Sequence, residues 1–165
     1  MPAPSAEAVD SLDAQLIALL AAEPRIGVLE ASRRLSVARG TVQARLDRLR
    51  RRGVVRGFGP DIDTTALGYS VTAFATLEIR QGRGRDVSDH LAGIPEVLEV
   101  HTITGPGDML CRIVGRDNVD LQRVIDTVVD FGGIVRTSTV IALSAPVPYR
   151  VLPLVEHAVR PGQAP

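Results

Sequence analysis

The sequence has no lysine and no tryptophan, a single cysteine, and only 3% aromatic residues. The lone Cys111 can form no internal disulfide, and without a Cys-x-x-Cys pair there is neither a zinc knuckle nor a thiol-exchange motif. That usage fits a reducing cytoplasm, where the protein is expected to reside. The longest apolar run, Leu16 to Ala22, has seven residues, against the roughly 20 that a membrane-spanning helix needs. Its flanks are acidic where a secretory leader would be basic, so no leader and no membrane partner are expected. His90, His101 and His157 share no metal-ligand spacing, and neither a catalytic triad nor a carboxylate pair stands out; no metal, cofactor or enzymatic activity is expected. Cys111 alternates with Leu110 and Arg112, as a small buried strand residue does.

What is present is an ordinary globular composition, 45% hydrophobic and 23% charged over 165 residues, enough for one good core or two small domains. The net charge is zero, but it is unevenly spread. Residues 1–60 hold 10 arginines and 6 acids, whereas residues 61–165 hold 9 arginines and 13 acids. Between Arg33 and Arg56 nine arginines face one acid, Asp47. Such an excess is either a solvated helix face or a surface for an anionic partner, nucleic acid first among them.

After a Pro/Ala-rich start expected to fray over residues 1–9, Asp10 or Ser11 can cap a helix carrying Leu12, Leu16, Leu19 and Leu20, which Pro24 ends. Val28, Leu29 and Leu35 give a second helix, and Ser36 to Gly40 a short break. Val42, Leu46 and Leu49 give a third helix, stopped by Gly53. Three helices with a tight second connection describe a helix-turn-helix. Opposite the apolar stripe of the third helix lie Gly40, Ala44, Asp47 and Arg51, so small residues hold the centre of its exposed face. In a recognition helix, Gly40 and Ala44 would admit the backbone deep into a major groove. Arg39, Thr41, Gln43 and Arg48 would reach base edges or nearby phosphates, with Arg50, Arg51 and Arg52 on the DNA backbone. Val54 to Arg56 reads as a strand beginning a wing, and Gly57, Gly59, Pro60 and Gly68 as a linker.

The second half changes period. Alternation over Val71 to Ile79 predicts a strand, Val87 and Leu91 a short helix, and Val97 to Thr104 a strand. Gly105 to Gly107 turns the chain into a strand over Asp108 to Val114. Asp117 or Asn118 caps a helix carrying Leu121, Val124, Ile125, Val128 and Val129, and Ile134 to Ala142 is the last strand. The order βαββαβ is the ferredoxin-like arrangement. Strict alternation puts Leu98 and Val100 on one face against Val97 and Ile103, and Leu110 and Val114 against Met109 and Ile113. Apolar residues on both faces predict that a second sheet covers the one the helices leave open, giving an isologous dimer. The fold class is therefore α+β: a winged helix-turn-helix over 10–61, a ferredoxin-like domain over 62–154, and a tail over 155–165. The stretch "APVPYRVLPL" reads equally as an edge strand or as part of that tail.

From about Val9 to Leu154 the chain resembles the Lrp/AsnC, or feast/famine, family of transcription regulators. The likeness rests on "VDSLDAQLIALLAAEPR", "TVQARLDRLRRRGVVRGF", "DIDTTALGY" and "IPEVLEVHTITGPGDMLCRIVGRD", in that order. It implies a double-stranded DNA reader joined to a sensor domain that dimerises through its sheets, with dimers assembling further, often to octamers. It also implies an amino acid or related metabolite as effector, bound at subunit interfaces. The family's sensor motif, a glycine and an aspartate three positions later, falls on Gly105 and Asp108, with Thr104, Gly107 and Met109 beside them. A glycine turn bares N–H groups for a carboxylate, and an aspartate accepts from an ammonium; the same residues also serve as a plain strand turn. Two departures mark this chain. Gly107 stands where the family often has an aromatic residue, and Ala38 where it usually has a helix-capping serine. Two other readings attach to the fold: an RNA-binding module, which lacks stacking rings since only Phe74 lies on a sheet strand, and a siroheme-decarboxylase-like enzyme, for which His101 is the candidate.

Overall fold

The computed structural model describes residues 9–159; the expected frayed start lies outside them except for Val9. Two compact units emerge, one from Asp61 to Val147 and one made of the chain up to Pro60 together with the segment from Pro148.

In the N-terminal unit, α1 (Ser11–Ala22) opens with a capping box: Asp10 accepts from the Asp13 N–H, and the Asp13 carboxylate accepts from the Asp10 N–H. Helices α2 (Val28–Arg34) and α3 (Arg39–Arg51) follow. The turn between them holds Ser36 at φ 54°, a left-handed conformation that a non-glycine residue adopts at some cost. Ala38 caps α3 without a side-chain bond, as its missing hydroxyl requires, and leaves the helix start open. The other end is closed by Gly53 at φ 72°, with the Val54 and Val55 N–H groups both donating to the Leu49 carbonyl. This overturns the strand expected over Val54 to Arg56: the segment folds back on α3, Val55 packs on the core, and among the described residues no strand pairs with it. The core is small: Leu16, Ala31, Val42 and Leu49, with Leu20, Leu35 and Leu46 packed around it.

The C-terminal segment is a helix, α6 (Leu152–Ala158), with Pro153 in its first turn, and it lies against α1. The expected division at 154/155 falls inside it, so "APVPYRVLPL" is neither edge strand nor loose tail but a connection running into a helix.

The other unit is a four-stranded antiparallel sheet in the order β2-β3-β1-β4, built from β1 (Val71–Ile79), β2 (Val97–Thr102), β3 (Met109–Gly115) and β4 (Ile134–Ala142). Helices α4 (Gly84–Ala92) and α5 (Asn118–Val129, capped by Asp117) cover one face. Ala73, Ala75 and Leu77 of β1 and Cys111 and Ile113 of β3 meet Val87 and Leu91 of α4 and Leu121, Val124 and Val128 of α5. Burial raises the Cys111 thiol to about 11, so it remains protonated and inert. Gly115 lets α5 approach β3 closely, since a Cβ there would come within 2.7 Å of the Leu121 amide nitrogen.

In β2 the alternation breaks. Val97 pairs with Ile113 but Glu99 with Arg112, leaving Leu98 as a bulge residue 43% exposed. The extra residue puts Val97 and Val100 on the same, helix-covered side, correcting the expectation that they oppose each other. The uncovered face carries Thr72, Phe74 and Thr76 of β1, Leu110, Arg112 and Val114 of β3, and Ser138, Val140 and Ala142 of β4.

Candidate functional site

The burial of Val42 and Leu49 turns Gly40, Ala44 and Arg51 of α3 outward, and Arg39, Thr41, Gln43 and Arg50 are exposed with them. At Gly40 an added Cβ would meet nothing within 4 Å, so packing inside the chain does not account for this glycine. The Gln43 amide donates to Asp47 at 3.0 Å along the helix. Arg52, expected on the DNA backbone, is half-buried at the helix end.

Arg48, expected at base edges or nearby phosphates, has a partner within the chain. It leans onto α1, where its guanidinium donates to Asp13 at 2.6 Å, and Asp13 is 0% exposed. Arg45 joins it, bonding Asp13 at 2.9 Å and Asp10 at 2.5 Å. The Arg45 guanidinium, followed by the Asp13 N–H, holds the Asp10 carboxyl below the ordinary carboxylate range. Arg48 is thus held by the Asp13 carboxylate, with a third of its side chain still exposed. One signal could have revealed this: Asp13 lies three residues before Leu16 on the inward face of α1, and a charge there demands a cation.

In the sheet unit, Gly105 at φ 114° makes the turn after β2. Gly107 lies so close to β1 that a Cβ would collide with the Thr76 methyl and come within 3.3 Å of the Leu77 carbonyl oxygen. Asp108 is stitched to β1 twice: its N–H donates to the Leu77 carbonyl at 2.8 Å, and its carboxylate accepts from the Ile79 N–H at 2.8 Å. The side chain remains exposed and borders an open cleft of about 540 Å³ with Met109, Thr102, Ile103, Ile79 and, from α4, Gly84, Arg85, Ser88 and Asp89. Of the expected effector residues, Asp108 and Met109 line this cleft, while Thr104, Gly105 and Gly107 form the adjoining turn. Arg85, Ser88 and Asp89 were not anticipated; their i, i+3, i+4 spacing on a helix that starts at the Gly82–Gly84 turn is the signal that puts them together. His101 is exposed on β2 and contacts Glu99 at 2.9 Å, away from this cleft.

Residues 9–50 match the AsnC-type helix-turn-helix domain, and residues 72–152 match the Lrp/AsnC ligand binding domain. The chain belongs to the Lrp/AsnC family. Among curated relatives, the HTH-type transcriptional regulator FL11 of Pyrococcus horikoshii is 32% identical over 135 residues, covering 82% of this chain and 89% of that protein. The E. coli AsnC structure shares the fold at a TM-score of 0.81 and 24% identity, over 88% of this chain and 99% of that one. The feast or famine regulatory protein from M. tuberculosis, solved in complex with L-methionine, has a TM-score of 0.76 and 26% identity, over 87% of this chain and 97% of that one. This member of the Lrp/AsnC family is accordingly a DNA-binding transcriptional regulator. Among its described residues no helix is long and apolar enough to cross a membrane.

Proposed function

We propose that the chain binds duplex DNA as a homodimer through the exposed face of α3, and that an α-amino acid bound beside Asp108 modulates this binding. The observation that carries the reading is the make-up of that face: Gly40 and Ala44 keep its centre low, Arg51 stands on the same side, and Arg39 and Arg50 are exposed on the helix flank. A low centre admits the helix to a major groove and the arginines neutralise phosphates. A glycine in a helix costs conformational entropy relative to alanine, a cost that close DNA approach explains and internal packing does not. Binding should weaken steeply with salt, and Arg51→Ala should reduce the slope of log K against log salt by about 1, as expected for one lost phosphate contact. A wild-type affinity independent of salt would refute the reading. Footprinting upstream of the protein's own gene identifies the operator.

The effector part rests on the cleft. Arg85 supplies a cation for a carboxylate, Asp89 and Asp108 supply anions for an ammonium, and Ile79, Ile103 and Met109 supply an apolar wall. An α-amino acid with an aliphatic or thioether side chain matches all three, and the L-methionine complex of the M. tuberculosis relative supports the class. Calorimetric titration with an amino-acid panel should find its tightest member among Met, Leu and Ile, and Arg85→Ala should weaken that binding by about 10- to 100-fold. An unchanged affinity in Arg85→Ala would remove the arginine from the site.

The dimer rests on the uncovered sheet face, where the Arg112 Nε atom is buried without a hydrogen-bond partner and Val140 is 63% exposed. A second copy laid on this face would cover the apolar residues and bring acceptors to the arginine. Further assembly of dimers, as the family resemblance implies, would show as species sedimenting faster than a dimer in sedimentation velocity.

A further inference from the structure

Between Arg39 and Arg52, α3 and its cap carry six arginines, and the structure ties two of them to acids of α1. Asp13 sits at the third position of α1 with no solvent exposure. Its two carboxylate oxygens receive Arg45 at 2.9 Å and Arg48 at 2.6 Å, while Asp10 receives Arg45 from the other side. The arginine side chains are 25% and 33% exposed, so neither is sealed in the interior. At 100° per residue Arg48 lies about 40° around the helix from Ala44, at the border of the face proposed to meet DNA. An arginine so placed would swing to a phosphate if nothing held it.

We propose that Asp13 is a specificity-determining positioning residue that holds Arg45 and Arg48 off the DNA, so that α3 meets the duplex with a chosen set of arginines instead of all six. This rests on the reading of α3 as the DNA-facing helix. Phosphate contacts add affinity for any sequence, whereas specificity comes from base edges. Two cations neutralised internally lower the sequence-independent part of binding and leave the base-reading part intact. The same bonds fix the rotation of α3 against α1, because one buried carboxylate is shared by two side chains three residues apart on the helix.

The test compares full-length wild type, Asp13→Asn and Asp10→Asn on operator and random duplexes over a salt series. Asn caps a helix as well as Asp does, so Asp10→Asn keeps the α1 start and carries the test if Asp13→Asn fails to fold. Expected are a slope of log K against log salt steeper by about 1 to 2 in Asp13→Asn and by up to about 1 in Asp10→Asn, tighter random-DNA binding, and a lower operator-to-random ratio. The triple variant Asp13→Asn/Arg45→Gln/Arg48→Gln should return the slope to the wild-type value. A merely structural Asp13 would lower the melting temperature and leave slope and ratio of the folded protein unchanged; that result, or a triple variant as steep as Asp13→Asn, overturns the proposal. If Arg51→Ala also leaves the wild-type slope unchanged, the placement of α3 on DNA falls and takes the role of Asp13 with it. A normal Arg51→Ala effect with unresponsive Asp13 and Asp10 variants overturns the role of Asp13 alone.

Discussion

Leu49→Ala should abolish operator binding at 37 °C by melting the helical unit while leaving the sheet unit folded. Leu49 is 0% exposed and sits where α3 meets the turn that closes it, its carbonyl accepting from both the Val54 and Val55 N–H groups. Among the described residues, three other fully buried apolar residues, Leu16, Ala31 and Val42, share that core cluster. Truncating a buried leucine costs about 2–5 kcal/mol, the upper end applying where the surroundings cannot collapse into the gap. A unit of this size holds roughly 3–10 kcal/mol in total, so one residue carries a large part of its stability. Scanning calorimetry on the full chain should show one transition lowered by more than about 10 °C and the other in place. Leu77→Ala, toward the end of β1 and equally buried, should produce the converse pattern. A single transition displaced as a whole by both variants would show that the two units melt as one.

The elements that were legible in the sequence are those whose information is local. Asp10 and Asp117 announce helix starts because a short acidic side chain can reach the N–H groups three residues on, and Gly53 announces an end because it accepts a positive φ. The period-2 pattern of Val71 to Ile79 needs no knowledge of its neighbours. What failed depends on contacts or on single insertions. The bulge at Leu98 is one extra residue, and one residue is enough to exchange the faces of everything beyond it, so Val97 and Val100 look opposed in the sequence and are not. Val54 to Arg56 has strand-like residues, but a strand requires a partner and the described residues supply none. In α6 the prolines of "APVPYRVLPL" mask a helix whose own Pro153 is a valid first-turn residue.

The candidate sites divide in the same way. The outward face of α3 follows from helical geometry alone, and Gly40, Ala44 and Arg51 are where it puts them. Arg48 could not be placed by that geometry, since 35 residues separate it from the acid that claims it. The cleft beside Asp108 was legible at its motif and not at its far wall, because Arg85, Ser88 and Asp89 reach it only through the packing of α4 against the sheet.

Phe74→Glu should convert the protein to a folded monomer and weaken operator binding by two orders of magnitude or more. Phe74 lies in the middle of β1 on the face that no helix covers, paired across the sheet with Arg112 on one side and Val140 on the other. In the single chain the substitution is tolerable: the residue is only half-buried, and Arg112 beside it can accept a carboxylate neighbour. Between two sheets the same glutamate would be desolvated, close to its copy across a two-fold axis, and repelled by it. Binding two half-sites through one linked dimer gains roughly 10²–10⁴ over a single reader, and the monomer forfeits that gain. Sedimentation velocity at micromolar concentration reads the first effect and a salt-matched operator titration the second. Circular dichroism separates dissociation from unfolding. A Phe74→Glu protein that sediments as wild type would place the dimer interface elsewhere. A monomer with undiminished operator affinity would show that one copy suffices to bind, and that the paired arrangement of α3 helices contributes nothing to recognition.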